Sequence, residues 1–189
     1  MLADHRHGQG MFESIAATDA EKATPRRGDE LVSQADVVMD RAFTLAAPPL
    51  QVWPWLAQLG KMRAGWYLPS GLERLLPASR RAAWEIQDRW QHLQVGETVP
   101  DYGGKNETFE IAHVDPPTSL VYTSQRGRTT VTWSITLQPA GDGTRVFLRL
   151  RMAPVRRRWL AETAGELIDI VTIAGMAEGL RQRLNAQSI

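Results

Sequence analysis

WLAETAGELIDIVTIAGMAEGLRQRL, residues 159–184, contains no proline, and its apolar side chains recur at steps of three and four. Leu160, Ala164, Leu167, Val171 and Ala174 form one run, and Ile173, Ala177, Leu180 and Leu184 continue it. That spacing predicts one long amphipathic helix with a single buried face. At roughly 1.5 Å per residue, about 26 residues make a rod of about 39 Å, enough to cross a small domain. An apolar face of that length needs a cover. The stretch able to provide one is the β-rich middle of the chain, so the expected class is α+β: a curved antiparallel sheet wrapped around the long C-terminal helix.

Upstream of the helix, segments 97–102, 108–113, 120–126, 129–138 and 144–152 are set off by YGGKN, DPPTS, RGR and PAGDG, each a turn composition. They read as successive antiparallel hairpins. In the fourth segment Val131, Trp133, Ile135 and Leu137 alternate with Thr130, Thr132, Ser134 and Thr136, which predicts one face on the interior and the other in water. Trp133 is then directed toward the helix. A first strand is expected in DVVMDRAFTLAA (36–47), followed by two short helices. The first, over 49–59, opens on proline, places Val52, Leu56 and Leu59 on one face and closes at Gly60. Pro54 inside it predicts a kinked or short helix. The second, over 71–76, stops at Pro77, and 78–95 shows no clean period.

Zero cysteines exclude disulfides, thiolate metal sites and a cysteine nucleophile, and agree with a cytoplasmic address. Balanced charge, 22 basic against 21 acidic residues, gives no whole-molecule attraction to nucleic acid or to an anionic membrane. The longest nearly apolar run, 170–177, is too short for a membrane span, which needs about 20 residues. Residues 1–34 are polar and poor in large apolar side chains, so they are expected as a mobile tail before a single domain over 35–189. His5 and His7 in that tail have no third metal ligand nearby.

Strand, kinked helix, short helix, antiparallel run and long terminal helix together resemble the helix-grip fold of the START-like (SRPBCC) superfamily. That superfamily takes in birch-pollen-type plant proteins, lipid-transfer domains and polyketide cyclases or dehydratases. APPLQVWPWLAQLG (47–60) is similar to its strand-to-helix entry, and RAGWY (63–67), WQHLQVGE (90–97) and VDPPTSLVY (114–122) to landmarks of a bacterial branch. Gly96-Glu97 stands where that branch usually has Gly-Asp. The resemblance covers residues 36–184 and implies a cavity between sheet and helix for a small hydrophobic or aromatic ligand, with no cofactor.

Of the aromatic residues, Trp53, Trp55 and Trp159 lie on predicted helices and read as packing. Trp66, Tyr67, Tyr102, Tyr122 and Trp133 border the expected cavity and are candidate ligand contacts. Arg126, beside Gly127 at a tight turn, is a candidate clamp for a ligand carboxylate. Glu73, Glu85 and Asp101 show no paired spacing and read as solvated, and His92 and His113 as structural. Gly103-Gly104-Lys105-Asn106 departs from a phosphate loop and reads as a hairpin turn. Gly165, Gly175 and Gly179 in the long helix either leave room for a guest or let a strand approach closely. Binding of a small hydrophobic ligand is therefore the leading expectation. The alternatives are a cyclase- or dehydratase-type enzyme using a cavity carboxylate or tyrosine, and a regulatory module meeting a protein partner through a sheet edge or Arg156, Arg157 and Arg158.

Overall fold

Residues 15–104, 106–155 and 166–187 are described by the computed structural model, so His5, His7, Arg156 to Arg158, Trp159, Leu160, Ala164 and Gly165 lie outside the described residues. One six-stranded antiparallel sheet has the order β1-β6-β5-β4-β3-β2. Its strands are β1 (Val37–Leu45), β2 (Thr98–Pro100), β3 (Thr108–Asp115), β4 (Ser119–Arg126), β5 (Thr129–Ala140) and β6 (Gly143–Ala153). Among the described residues the α-helices that accompany it are α1 (Asp19–Ala23), α2 (Pro49–Gln58), α3 (Ser70–Glu73) and α4 (Glu166–Gln187). β2 to β6 follow as hairpins, β6 pairs antiparallel with β1, and the connection through α2 and α3 carries the chain from β1 at one edge to β2 at the other. The sheet and terminal helix are those of a helix-grip fold.

Local chemistry explains the short helices. Pro49 opens α2 where its missing N–H is not needed, and the helix ends after ten residues. Gly60, at φ +141°, then exchanges backbone hydrogen bonds with Gly65 at 3.1 and 3.0 Å. That pairing turns the chain so that 66–69 run alongside α4. Among the described residues, α4 buries Ile173, Ala174, Met176, Ala177, Leu180 and Leu184. Against them and α2 lie Phe43, Leu45, Leu120, Ile135, Val146 and Leu148 of the inner sheet face. Val171, expected on the buried stripe, is 56% exposed. The N-terminal part of α4 borders a cavity instead of resting on the sheet, and the residues turned inward there are Asp169, Thr172 and Ile173.

The outer face of the sheet departs from expectation in a second way. Thr132 and Ser134, expected in water, are buried. Residues 15–34, expected within a mobile tail, lie across that face. Arg145, Phe147, Arg149 and Arg151 alternate along β6 and point outward. Arg149 donates to Asp40 at 2.7 Å, Asp29 at 2.8 Å and the carbonyls of Lys22 and Thr24. Arg145 holds both carboxylate oxygens of Glu21 at 3.0 Å, and Arg151 reaches the carbonyls of Val32 and Ser33. Gly28, in the left-handed region at φ +93°, sits where a Cβ would meet Val121 at 2.6 Å. A segment with few apolar residues is thus fixed by charge-assisted hydrogen bonds, each stronger than a neutral one.

Two expected results arise here. Arg149→Met should lower stability by about 2 kcal/mol, because two partly buried carboxylates lose their shared cation. Faster tryptic cleavage at Arg26 and Arg27 would report release of the segment. The Arg145 hydrogen bonds lower the Glu21 pKa from 4.5 to about 2. A depressed carboxylate stabilises above its unfolded pKa, so this clamp is complete above about pH 5 and is lost as pH falls from 4.5 through 2. Protease sensitivity of the 15–34 segment, measured against pH with an acid-active protease, should rise over that window and should do so less in Glu21→Gln.

Candidate functional site

Between the inner sheet face, the 66–68 segment and the first described turns of α4 lies a cavity of about 480 Å³. Its wall is mainly aromatic and aliphatic, with Trp66, Tyr102, Phe109 and Trp133 facing Leu68, Leu150 and Ile173. Strands, α4 and two connecting segments deliver these side chains. Trp133 on β5 stands opposite Tyr122 on β4 and Leu150 on β6 in the ladder. Phe109 comes from β3, and Trp66 from the segment that leaves the Gly60–Gly65 turn.

The rings form one continuous stack. Trp66 lies 6.0 Å from Trp133 at 26°, and Trp133 lies 5.7 Å from Tyr122 at 18°. Tyr102 meets Trp66 edge-on at 6.2 Å, and Phe109 tilts against both Trp133 and Tyr122. Trp66 is fixed from behind, its indole N–H donating to the Thr172 carbonyl at 3.2 Å. The Trp66 hydrogen bond ties the aromatic wall to α4, so the two sides of the cavity are set relative to each other.

Polar groups sit in this wall as neutralised pairs. Arg126 bonds Asp101 and lies 5.1 Å over the Phe109 ring. Gly103 makes this possible, since a Cβ there would fall 2.6 Å from the Arg126 guanidinium and 2.7 Å from Asp101. Asp169 of α4 pairs with Arg41 of β1 at 3.0 Å. Burial raises the phenol of Tyr102 above its ordinary pKa and pushes that of Tyr122 up to about 12. Neither phenol supplies a phenolate near neutral pH.

The aromatic candidates fare unequally. Trp66, Tyr102, Arg126 and Trp133 line the cavity. Tyr122 lies one layer back, behind Trp133, on a separate small space of about 40 Å³. Tyr67 is elsewhere: it is 0% exposed, donates to the Trp55 carbonyl at 2.8 Å and packs edge-on to the Trp55 ring. Neighbours on an extended segment point to opposite sides, so if Trp66 faces the cavity Tyr67 faces the core.

Two acids read as solvated are not. Asp101 is the partner of Arg126, and Glu73 is buried against Arg183 at 2.7 Å. Glu85 and His92 are exposed, and His113 shares a hydrogen bond with Ser119 at 3.1 Å. Phe109, Leu150, Arg41, Asp169 and Thr172 were not singled out by sequence. The available signal was weak: Asp169 stands at the edge of the longest apolar run of the chain, an unusual place for a carboxylate.

A family model described as polyketide cyclase / dehydrase and lipid transport matches residues 36–184. The chain belongs to that family. No curated protein matches it in sequence. Among solved structures, MLL2253 from Mesorhizobium loti aligns with TM-score 0.52 at 17% identity, over 81% of this chain and 100% of its own. DynU16, a protein of the dynemicin biosynthetic locus, aligns with TM-score 0.52 at 13% identity, over 80% of this chain and 48% of its own. A Rhodobacter sphaeroides protein gives TM-score 0.51 at 13% identity, covering 80% and 99%. At these identities the structures establish the fold. Membership of the family accords with a hydrophobic-ligand or cyclase-type role, and no helix among the described residues is long and apolar enough to cross a membrane.

Proposed function

We propose that the protein binds a small hydrophobic or aromatic molecule in the cavity between sheet and α4. The observation that carries this reading is the Trp66–Trp133–Tyr122 stack beside a mainly apolar space of about 480 Å³. Ligand sites commonly span about 300–1,000 Å³ and combine apolar walls with a few placed polar groups. Stacked indoles offer a flat apolar face, which favours a ring system over a flexible chain. The Arg126–Asp101 and Arg41–Asp169 pairs are positioned to orient polar substituents without adding net charge. Native mass spectrometry of freshly purified protein, followed by solvent extraction, tests the reading. A reproducible extra mass that disappears on denaturation is the expected result. A clean apo mass, with no stabilisation by a panel of lipids and aromatic polyketides, would sink it. Trp133→Leu should weaken uptake by roughly tenfold, since a stacking ring contributes about 0.5–1.5 kcal/mol beyond its buried area.

The cyclase-type alternative is favoured by one specific feature, the carboxylates at the cavity wall. With both phenols raised, proton transfer would fall to Asp101 or Asp169, each beside an arginine. Asp101→Asn and Asp169→Asn separate the two readings. Loss of turnover with ligand uptake retained supports an enzyme, and uptake without turnover in the parent protein supports carriage.

A further inference from the structure

Residues 71–81, GLERLLPASRR, form an exposed loop whose surface differs from the near-neutral average of the chain. Leu75 is 81% exposed and Leu72 52% exposed. Arg74, Arg80 and Arg81 are exposed around them. The single acid of the segment, Glu73, is turned inward and neutralised by Arg183. What remains outside carries basic but no acidic side chains.

The exposure is built in. Leu75 N–H bonds the Leu72 carbonyl at 3.1 Å, Leu76 the Glu73 carbonyl at 3.0 Å and Arg80 the Pro77 carbonyl at 2.8 Å. Arg81 then laces the loop shut, donating to the carbonyls of Leu76 at 3.0 Å and Arg74 at 3.2 Å. Its base is held by the Glu73–Arg183 pair and by Ser70 N–H on Gln182 at 2.8 Å. Leucines on a turn satisfied in this way cannot reach the interior without breaking it.

We infer that this loop docks the protein onto the surface of an anionic lipid bilayer. Leu72 and Leu75 enter the boundary between headgroups and acyl chains, while Arg74 and Arg80 meet lipid phosphates. Two exposed leucines give little of the roughly 800 Å² per partner that a stable protein interface needs. The same loop suits a bilayer interface, which takes up isolated apolar side chains flanked by basic ones. Arginines are attracted to an anionic surface, and no opposing acid of the segment faces outward. Leu68, three residues before the loop, is part of the cavity wall, so docking would bring the cavity close to lipid. The inference goes beyond ligand binding and stands without it.

The test is co-sedimentation of the full chain with sucrose-loaded vesicles of phosphatidylcholine, alone or with about one-third phosphatidylglycerol. Binding is expected to the anionic vesicles and to fall as salt rises. The double variant Leu72→Ser/Leu75→Ser should weaken it by at least roughly tenfold. Arg74→Gln/Arg80→Gln should weaken it by at least about fivefold. All four side chains are exposed, so melting should be unchanged in both variants, and ligand uptake from solution, followed in parallel, should also be unchanged. Absence of binding to anionic vesicles, or binding that survives both variants, overturns the proposal. So does a dimer in light scattering that Leu72→Ser/Leu75→Ser dissociates, which would make the loop a contact between copies. A protein that binds vesicles but takes up no ligand retains this proposal and loses the ligand reading.

Discussion

Replacing Glu73 by alanine should cost the fold about 3–5 kcal/mol, enough to unfold a large fraction of a protein of ordinary stability. Glu73 is 3% exposed and Arg183 is fully buried. The arginine lies flat between two rings, 4.6 Å from Tyr67 and 4.3 Å from Trp84, and donates to the carbonyls of Ala83 and Gly179. Among the described residues its carboxylate partner is Glu73, which also accepts from the Trp84 indole at 3.0 Å and from Leu68 N–H at 3.3 Å. Removing the acid leaves a guanidinium charge in a dry site and two donors without acceptors. Glu73→Gln keeps an acceptor and should cost less. Adding Arg183→Met to Glu73→Ala should recover part of the loss, because the uncompensated charge is then gone. Urea unfolding of the four proteins measures this, and a loss under about 1 kcal/mol in Glu73→Ala would contradict it.

That cluster also marks where sequence reading stops. β3 to β6 and α4 are legible because side-chain period and turn composition are local properties, and Val131 to Leu137 alternate as a half-buried strand must. Glu73 and Arg183 are 110 residues apart, and nothing within either neighbourhood marks the one as the other's partner. The same holds for Arg126 with Asp101, and for Arg41 with Asp169. An isolated Glu in a polar loop reads as solvated for want of that partner. The outer face failed differently. Its cover, residues 15–34, is polar because it meets an arginine-bearing surface, so hydropathy classes it with disordered tails. Arginines at 145, 149 and 151 around Phe147 were visible in the sequence, but an alternating basic strand face normally means water. Trp66 and Tyr67 could have been separated in advance, since adjacent residues on an extended chain do not share a side.

Gly179→Ala should destabilise by about 2–3 kcal/mol, whereas Gly175→Ala should be neutral or slightly stabilising. Alanine gains about 1 kcal/mol over glycine in a helix, so propensity favours both substitutions equally. The surroundings differ. A Cβ on Gly179 would lie 2.7 Å from the Tyr67 carbonyl carbon and 2.8 Å from the Leu68 nitrogen and oxygen, which are backbone atoms held by their own segment. On Gly175 the nearest atom is a Leu68 methyl at 3.1 Å, the free end of a side chain that can rotate away. Overpacking against fixed backbone costs about 1–3 kcal/mol or more, against a yielding side chain much less. Of the two sequence readings of these glycines, close approach therefore applies at Gly179, and Gly179 is not among the residues that line the cavity. Yet the segment it admits carries Trp66 and Leu68 into the cavity wall, and Trp66 is bonded to Thr172 on the same helix. Pushing α4 outward at Gly179 should loosen that hydrogen bond and weaken ligand uptake as well as stability, and Gly175→Ala should leave uptake within about twofold, since it perturbs one rotamer. Equal effects at the two positions, in thermal melts and in uptake, would mean that helix propensity and not the 67–68 contact decides.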